Sequence, residues 1–85
     1  MPEISRFFGI TVRMYHDDHG PPHFHAVYAG HKIKVDIHTG STRGHFPPRA
    51  LRLLMEWYDL HRAELAEDWA LAAADRPLKR IEPLE

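Results

Sequence analysis

Apolar and polar residues alternate through the first half of the chain, and this period of two is typical of strands that bury one face. Residues 4–15 predict one long strand, residues 23–28 a second and residues 31–37 a third. Asp, Gly and Pro at positions 17–22 predict the first turn, and residues 41–46 predict a loop after the third strand. The inward face of the first strand is expected to carry Phe8, Ile10, Val12 and Met14.

The short sequence between the second and third strands predicts their register. Ala29-Gly30 has the length of a two-residue hairpin loop, and a loop of that length places Phe24 beside Val35. The apolar residues of both strands then share one face, as a correct register requires. A four-residue loop would give the same facing, whereas an odd number of loop residues would not.

The opposite face of this hairpin is polar. His25 is predicted to lie across from Lys34, and His23 across from Asp36. Because the two histidines are two residues apart on one strand, both imidazoles are expected to point to the same side and to face solvent. The first strand is expected to add three polar residues to this face, Thr11, Arg13 and Tyr15.

Helical periodicity replaces the alternation in the second half of the chain. The proline pair at 47–48 is typical of a helix start, where the missing N–H costs no hydrogen bond. Two apolar stripes at helical spacing run to a break expected near His61, and a second helix is predicted over residues 63–74. The same periodicity also permits one unbroken helix of about 28 residues, which would be long for so small a domain. Trp57 is expected to be buried between the sheet and the second helix, and the tail at 81–84 can pair along a sheet edge.

Composition agrees with a single small domain spanning residues 1–85. The chain is 44% hydrophobic and 27% charged, with a net charge of −1 and no cysteine. The lack of cysteine excludes disulfides and thiolate metal sites and favours a cytoplasmic location. No apolar run predicts a membrane span, and the near-neutral charge excludes a strongly basic nucleic-acid-binding protein. The predicted fold class is α+β, a three-stranded antiparallel meander packed on two C-terminal helices.

The candidate metal site lies in the segment 16–25, where a turn stiffened by proline holds four of the eight histidines. His19, His23 and His25 offer the donors that a divalent transition metal such as zinc or nickel prefers. Asp36 across the ladder would add an oxygen. The plain alternative is that exposed histidines in a turn have no function.

The same residues also suit phosphodiester cleavage without a metal. In that hypothesis one histidine acts as the base and another as the acid, and nearby cations stabilise the charge of the transition state. The sequence leaves the two chemistries open. The predicted catalytic residues are His23, His25, Asp36 and Lys34.

Five stretches of the chain are distinctive, above all DHGPPHFH at residues 18–25. The others are MPEISRFFGI at the N-terminus, RALRLLMEW, LHRAEL and IEPL. Together they resemble a family of small bacterial proteins known as domain of unknown function 4160. The resemblance implies a cytoplasmic protein that forms half of a two-gene, toxin–antitoxin-like module, with a small partner protein encoded beside it. It implies no catalytic assignment.

The leading hypothesis is a toxin–antitoxin-type component whose His-x3-His-x-His site acts on RNA or a similar phosphodiester, with metal assistance left open. The alternative is a non-enzymatic module in which the same histidines hold a metal or dock the partner. A nuclease requires a cation such as Lys34 or Arg13 beside the imidazoles. A binding module has no such requirement and would show a closed, fully ligated site.

Overall fold

The chain folds into a five-stranded antiparallel sheet followed by two helices. The computed structural model describes residues 2–16 and 18–85. The strands lie side by side in sequence order, which is a meander. The elements are β1 (Glu3–Phe7), β2 (Ile10–Arg13), β3 (His23–Tyr28), β4 (His31–Asp36), β5 (Thr42–Gly44), α1 (Pro48–Leu60) and α2 (Arg62–Ala73). The α+β class, the antiparallel meander and the two C-terminal helices are confirmed, whereas the prediction of three strands is wrong.

The predicted first strand is two strands joined by a tight turn at Phe8-Gly9. Both turn residues have positive φ, 48° and 80°, which is the backbone of the hairpin turn that matches strand twist. Phe8 is therefore 53% exposed rather than on the buried face. The two-residue turn makes Phe7 and Ile10 Cα partners on one face, and both are buried. One continuous strand would have placed these residues, which are three apart, on opposite faces.

The predicted loop at 41–46 contains the fifth strand. β5 pairs with β4 through Arg43 opposite Lys34, and it forms one edge of the sheet. Gly44 has a φ of 108°, and a Cβ there would lie 2.4 Å from the carbonyl oxygen of Lys32, so this close approach requires glycine. A three-residue strand without apolar alternation gives no signal in the sequence.

The hairpin of β3 and β4 has the predicted register. Ala29 and Gly30 form the two-residue turn, with φ of 47° and 83°. The Cα partners include Phe24 with Val35, both fully buried, and His25 with Lys34 on the other face. The polar face of the sheet, as the name is used below, is the side that carries Arg13, His25, Lys32, Lys34 and Arg43.

Helix α1 covers the apolar face of the sheet. Trp57 is fully buried, as predicted, with its ring 5.3 Å from that of Phe7 and 5.7 Å from that of Phe24. Its indole N–H donates to the carbonyl oxygen of Glu82 at 2.9 Å, so the C-terminal tail also packs on it. The predicted helix break is at His61, which ends α1 and precedes α2.

The C-terminal tail pairs with β1 at the edge of the sheet, as predicted for residues 81–84. The backbone N–H of Ile81 donates to the carbonyl oxygen of Ile4 at 2.8 Å, and the hydroxyl of Ser5 donates to the carbonyl oxygen of Ile81 at 3.0 Å. Ser5 and Ile81 are both buried. Among the residues that the structure describes, no helix is long and apolar enough to cross a bilayer.

Candidate metal centre and the polar face

Two side chains of β3 and one of the preceding turn converge on a single point. The Nε2 atom of His23 lies 2.8 Å from Oδ2 of Asp18, and the Nε2 atom of His25 lies 2.9 Å from the same oxygen. One donor atom from each residue lies within 4.8 Å of the others. We call these three residues the His–Asp cluster.

The turn that delivers Asp18 is anchored on both sides by hydrogen bonds to backbone carbonyl oxygens. The carbonyl oxygen of Pro22 accepts the N–H of Ile37 at 2.9 Å, so the start of β3 is tied to the end of β4. On the other side, the Nε2–H of His16 donates to the carbonyl oxygen of Arg76 at 2.8 Å. The two proline rings between these anchors restrict the backbone further, and the turn therefore holds Asp18 over β3.

The protonation of His23 follows from its second hydrogen bond. Its Nδ1 lies 2.8 Å from the carbonyl oxygen of Pro21, and a carbonyl can only accept, so Nδ1 carries a proton. The Nε2 atom would then direct a lone pair at the Asp18 carboxylate in a neutral ring. A lone pair and a carboxylate oxygen repel each other, so this contact needs a cation between Nε2 and Oδ2. The cation is either a second proton on the ring or a metal ion.

The two histidines differ in exposure. The side chain of His25 is 31% exposed, as predicted for the polar face, but that of His23 is only 5% exposed, and the prediction that both imidazoles face solvent is wrong. The cause lies in α2, which places the ring of Trp69 5.2 Å from that of His23. His23 is thus a fixed group, and His25 is the one that solvent or a ligand can reach.

Asp18 is a carboxylate suited to binding a cation. Partial burial raises its pKa, but the hydrogen bond from His25, the backbone N–H of His19 and the proximity of His23 outweigh this effect. The pKa of Asp18 therefore lies below its usual value, and the group is ionised at neutral pH.

Two cations flank the exposed histidine. Arg13 of β2 and Lys34 of β4 are the Cα partners of His25 on its two sides, and directly opposed residues of neighbouring strands have Cβ atoms about 5 Å apart. Tyr15 packs edge-on against His25, with ring centroids 4.7 Å apart. The predicted neighbours of His25 are therefore in place.

Two open clefts meet on the polar face. One, of about 350 Å³, has His23, Asp36 and Ser41 among its lining residues. The other, of about 370 Å³, is lined by residues that include Arg13, Tyr15 and His25. Lys34 and Arg43 line both clefts. The His–Asp cluster thus has one histidine in each cleft.

The remaining predicted site residues lie apart from the cluster. Asp36 is the Cα partner of His23, but its Oδ1 accepts the backbone N–H groups of Thr39 and His38, which hold the pKa of Asp36 below its usual value. His19 is exposed and touches the cluster through its backbone N–H, which donates to Oδ1 of Asp18. In the described chain, the group that brings metal-binding atoms together contains Asp18 and does not include His19 or Asp36.

Sequence reasoning missed Asp18. The available signal was the carboxylate five and seven residues before the two histidines, within a turn that proline keeps compact. Strand register alone favoured Asp36, because it predicts Cα neighbours and not which carboxylate the adjacent turn uses for its own backbone.

The three donors fit a divalent transition metal. Two imidazole nitrogens and one carboxylate oxygen form a ligand set found at catalytic zinc sites and at the two-histidine, one-carboxylate sites of other metals. Tetrahedral ligands with bonds of about 2.0–2.1 Å stand about 3.3 Å apart, so each imidazole nitrogen would stand about half an ångström farther from the Asp18 oxygen with an ion bound. The bond from His23 to the Pro21 carbonyl is the outer support that metal-bound histidines usually have.

The fold and the cluster together define a small α+β protein with an open two-histidine, one-aspartate centre on one face of its sheet. Residues 9–70 match the family described as Domain of unknown function (DUF4160), and the chain belongs to this family. Searches of curated proteins and of solved structures gave no match.

Proposed function

We propose that this protein is a metal-dependent phosphodiesterase that acts on RNA, as one component of a toxin–antitoxin-type module in the bacterial cytoplasm. The metal is a divalent transition ion such as zinc or nickel, held by Asp18, His23 and His25. The observation that carries the proposal is the position of His25, which belongs to the His–Asp cluster and lies directly between Arg13 and Lys34.

The degree of burial of each residue in the His–Asp cluster indicates its role in the proposed reaction. His23 is buried and bonded at both nitrogens, which suits a permanent ligand better than a group that exchanges protons with substrate. His25 and Asp18 are partly exposed and leave the cluster open toward the clefts. A bound divalent ion would act as a Lewis acid on a phosphoryl oxygen. Arg13 and Lys34 would hold the phosphate beside the cluster and offset the negative charge that develops on it.

Metal-free cleavage by two histidines is less well supported by this geometry. It needs an acid and a base that both reach the substrate, and His23 lies under Trp69 with little exposed surface. The non-enzymatic alternative uses the same cluster as a metal or docking site. It is favoured by the shared Asp18 oxygen, which lies within hydrogen-bond distance of both imidazoles without any substrate.

Metal analysis and an RNA cleavage assay on the same preparation test the proposal. The protein is purified without a histidine tag, its zinc, nickel and manganese contents are measured, and a fluorogenic RNA is offered. We expect a bound metal and cleavage that a chelator removes. His25→Ala should lose both, whereas the matched control His38→Ala, which removes an exposed imidazole outside the cluster, should keep both.

Three results would contradict the proposal. A protein that takes up none of these metals has no such centre. Wild-type cleavage by His25→Ala would place the activity elsewhere. A protein that holds metal but cleaves no RNA would support the non-enzymatic alternative.

The partner is tested by co-expression with the adjacent gene of the producing bacterium. We expect the two products to co-purify and the partner to suppress cleavage. Cleavage that the co-purified partner leaves unchanged would contradict the inhibitory role of that partner.

A further inference from the structure

The polar face extends beyond the His–Asp cluster as a continuous row of basic residues. Arg13, His25, Lys34 and Arg43 are successive Cα partners across β2, β3, β4 and β5. Strands in a sheet lie about 4.8 Å apart, so the row is about 14 Å long. Lys32 is two residues from Lys34 on β4, points to the same side and lines the larger cleft.

Positive charge is concentrated here although the whole chain has a net charge of −1. Among the described residues the face has five cations, Arg6, Arg13, Lys32, Lys34 and Arg43, against three carboxylates, Glu3, Asp18 and Asp36. When these are set aside from the eleven basic and twelve acidic residues of the chain, six basic and nine acidic residues remain. The two groups of residues thus have net charges of opposite sign, and an anionic ligand would be attracted to this face.

We propose that the polar face is a binding tract for single-stranded RNA. The phosphates follow the basic row, and one nucleotide enters the cleft between His23 and Arg43. The inference rests on the function proposed above and names its substrate. Its new content is that binding depends on residues of β4 and β5, outside the His–Asp cluster.

The shape of the face favours a single strand over a duplex. Two clefts of about 350 and 370 Å³ sink into the surface on either side of Lys34 and Arg43, and a duplex would keep its bases stacked and out of such clefts. Tyr15 and His25 supply rings against which an unpaired base can pack. The width of the row suits about two or three nucleotides, as on other RNA-binding sheets.

Polar groups inside the smaller cleft suit the edge of a base. Asp36 and Ser41 line it together with Lys34. The carboxylate of Asp36 is held by the turn that follows β4 and can accept from an amino group of a base. The Ser41 hydroxyl can donate to a base edge or accept from it. The base edges that these groups can bind are paired and stacked in a duplex and are accessible in a single strand.

Binding is measured apart from cleavage to test this tract. The as-purified protein is titrated into a fluorescein-labelled 2′-O-methyl RNA of about 12 nucleotides, within the range of single-strand site sizes, and into the same RNA annealed to its complement. The RNA length is checked on a gel afterwards. We expect the single strand to bind at least several-fold more tightly than the duplex.

Two variants outside the cluster test the role of the cations on the polar face. Because each removes one cation that faces a phosphate, Arg43→Gln and Lys32→Gln should each weaken single-strand binding and reduce the slope of log Kd against log salt by about 0.7. Their metal content should stay at the wild-type level. The matched control is Arg52→Gln on α1, an exposed arginine of the helix that packs on the other face, and it should leave affinity and slope unchanged.

The outcomes separate the tract from the proposed activity. Equal or tighter duplex binding, no binding at all, or wild-type binding by both Arg43→Gln and Lys32→Gln would each overturn the tract, even in a protein that cleaves RNA. Single-strand binding that both variants weaken supports the tract, even if no cleavage is found and the proposed catalytic function fails.

Discussion

The indole of Trp69 packs on the imidazole of His23, with ring centroids 5.2 Å apart. This contact links α2 to the His–Asp cluster. The imidazole of His23 is bonded at one end to the Pro21 carbonyl and at the other to Asp18, so a rotated ring would lose both bonds. The helix therefore acts on the site by keeping Nε2 of His23 directed at the point where the three donors meet.

Removal of the Trp69 ring should loosen the metal centre without removing a ligand. We expect Trp69→Ala to lower metal affinity about 10- to 100-fold, the usual cost of losing a group that orients a ligand. Trp69→Phe keeps an aromatic ring and should retain most of the affinity. Competition with a chromophoric chelator measures both variants, and equal affinity of a folded Trp69→Ala and the wild type would contradict the positioning role.

Substitution of Asp18 and of Asp36 tests which of the two aspartates supplies the oxygen ligand of the metal. Asp18→Asn should abolish or strongly weaken metal binding, because a neutral amide replaces the ionised oxygen that both imidazoles face. Asp36→Asn should bind metal like the wild type, because its carboxylate caps a turn instead. Isothermal titration with zinc compares the two. A larger loss for Asp36→Asn would restore the ligand set predicted from strand register.

Trp57 should dominate the stability of the core. The ring is fully buried against Phe7 and Phe24, so Trp57→Ala should lower the free energy of unfolding by about 3–5 kcal/mol. Leu60→Ala is the control on the same helix. Its side chain is 65% exposed, and the change should be within about 0.5 kcal/mol. Urea denaturation followed by circular dichroism gives both values, and a loss below about 1 kcal/mol for Trp57→Ala would contradict this view of the core.

The contribution of Asp68 to the free energy of unfolding should fall as the pH rises, whereas that of a carboxylate in an ion pair rises. It is buried, its Oδ1 accepts the backbone N–H of Lys79, and among the described residues no hydrogen-bond partner reaches its Oδ2. Burial raises the pKa of Asp68 above its usual value, more than the Lys79 N–H lowers it. The folded state therefore binds a proton more readily than the unfolded state, and the ionised group destabilises the fold at neutral pH.

The variant Asp68→Asn should accordingly be more stable than the wild type at pH 7. The difference should shrink as the pH falls through the raised pKa and disappear below the unfolded value of about 3.9. Chemical denaturation across this pH range measures it. Glu56→Gln, which removes an exposed carboxylate of α1, is the control, and a change near zero is expected at every pH. A destabilised Asp68→Asn at pH 7 would show that the carboxylate is paired.

The polar face of the β3–β4 hairpin was predictable because two independent signals agree there. The pair Ala29-Gly30 has the length of a tight turn, and the alternation on both sides gives the same facing. The Phe8-Gly9 turn was missed because its signal is ambiguous. One long strand places Phe8 on the face of Ile10, whereas a two-residue turn places Phe7 there, and both positions hold phenylalanine. Phe-Gly also lacks the Asn or Asp that marks such turns.

The residues of the His–Asp cluster are held in place by contacts between parts of the chain that are far apart in sequence, which is why the cluster was predicted only in part. Asp18 is brought over β3 by a turn that His16 fastens to the carbonyl of Arg76, sixty residues away. The burial of His23 depends likewise on Trp69 in α2. The pattern of apolar and polar residues within each segment predicts neither contact, because each depends on how the C-terminal half of the chain packs on the sheet.

The pairing of Ile81 with Ile4 bears on how the protein can be shortened. Both residues lie outside the segment 9–70 that matches the family, yet both are buried in the core. A fragment trimmed to the matched segment would lose β1, leave an unprotected edge on β2 and deprive the Trp57 indole of its acceptor. The folding unit is therefore wider than the family match, and the two chain ends outside that match close the core together.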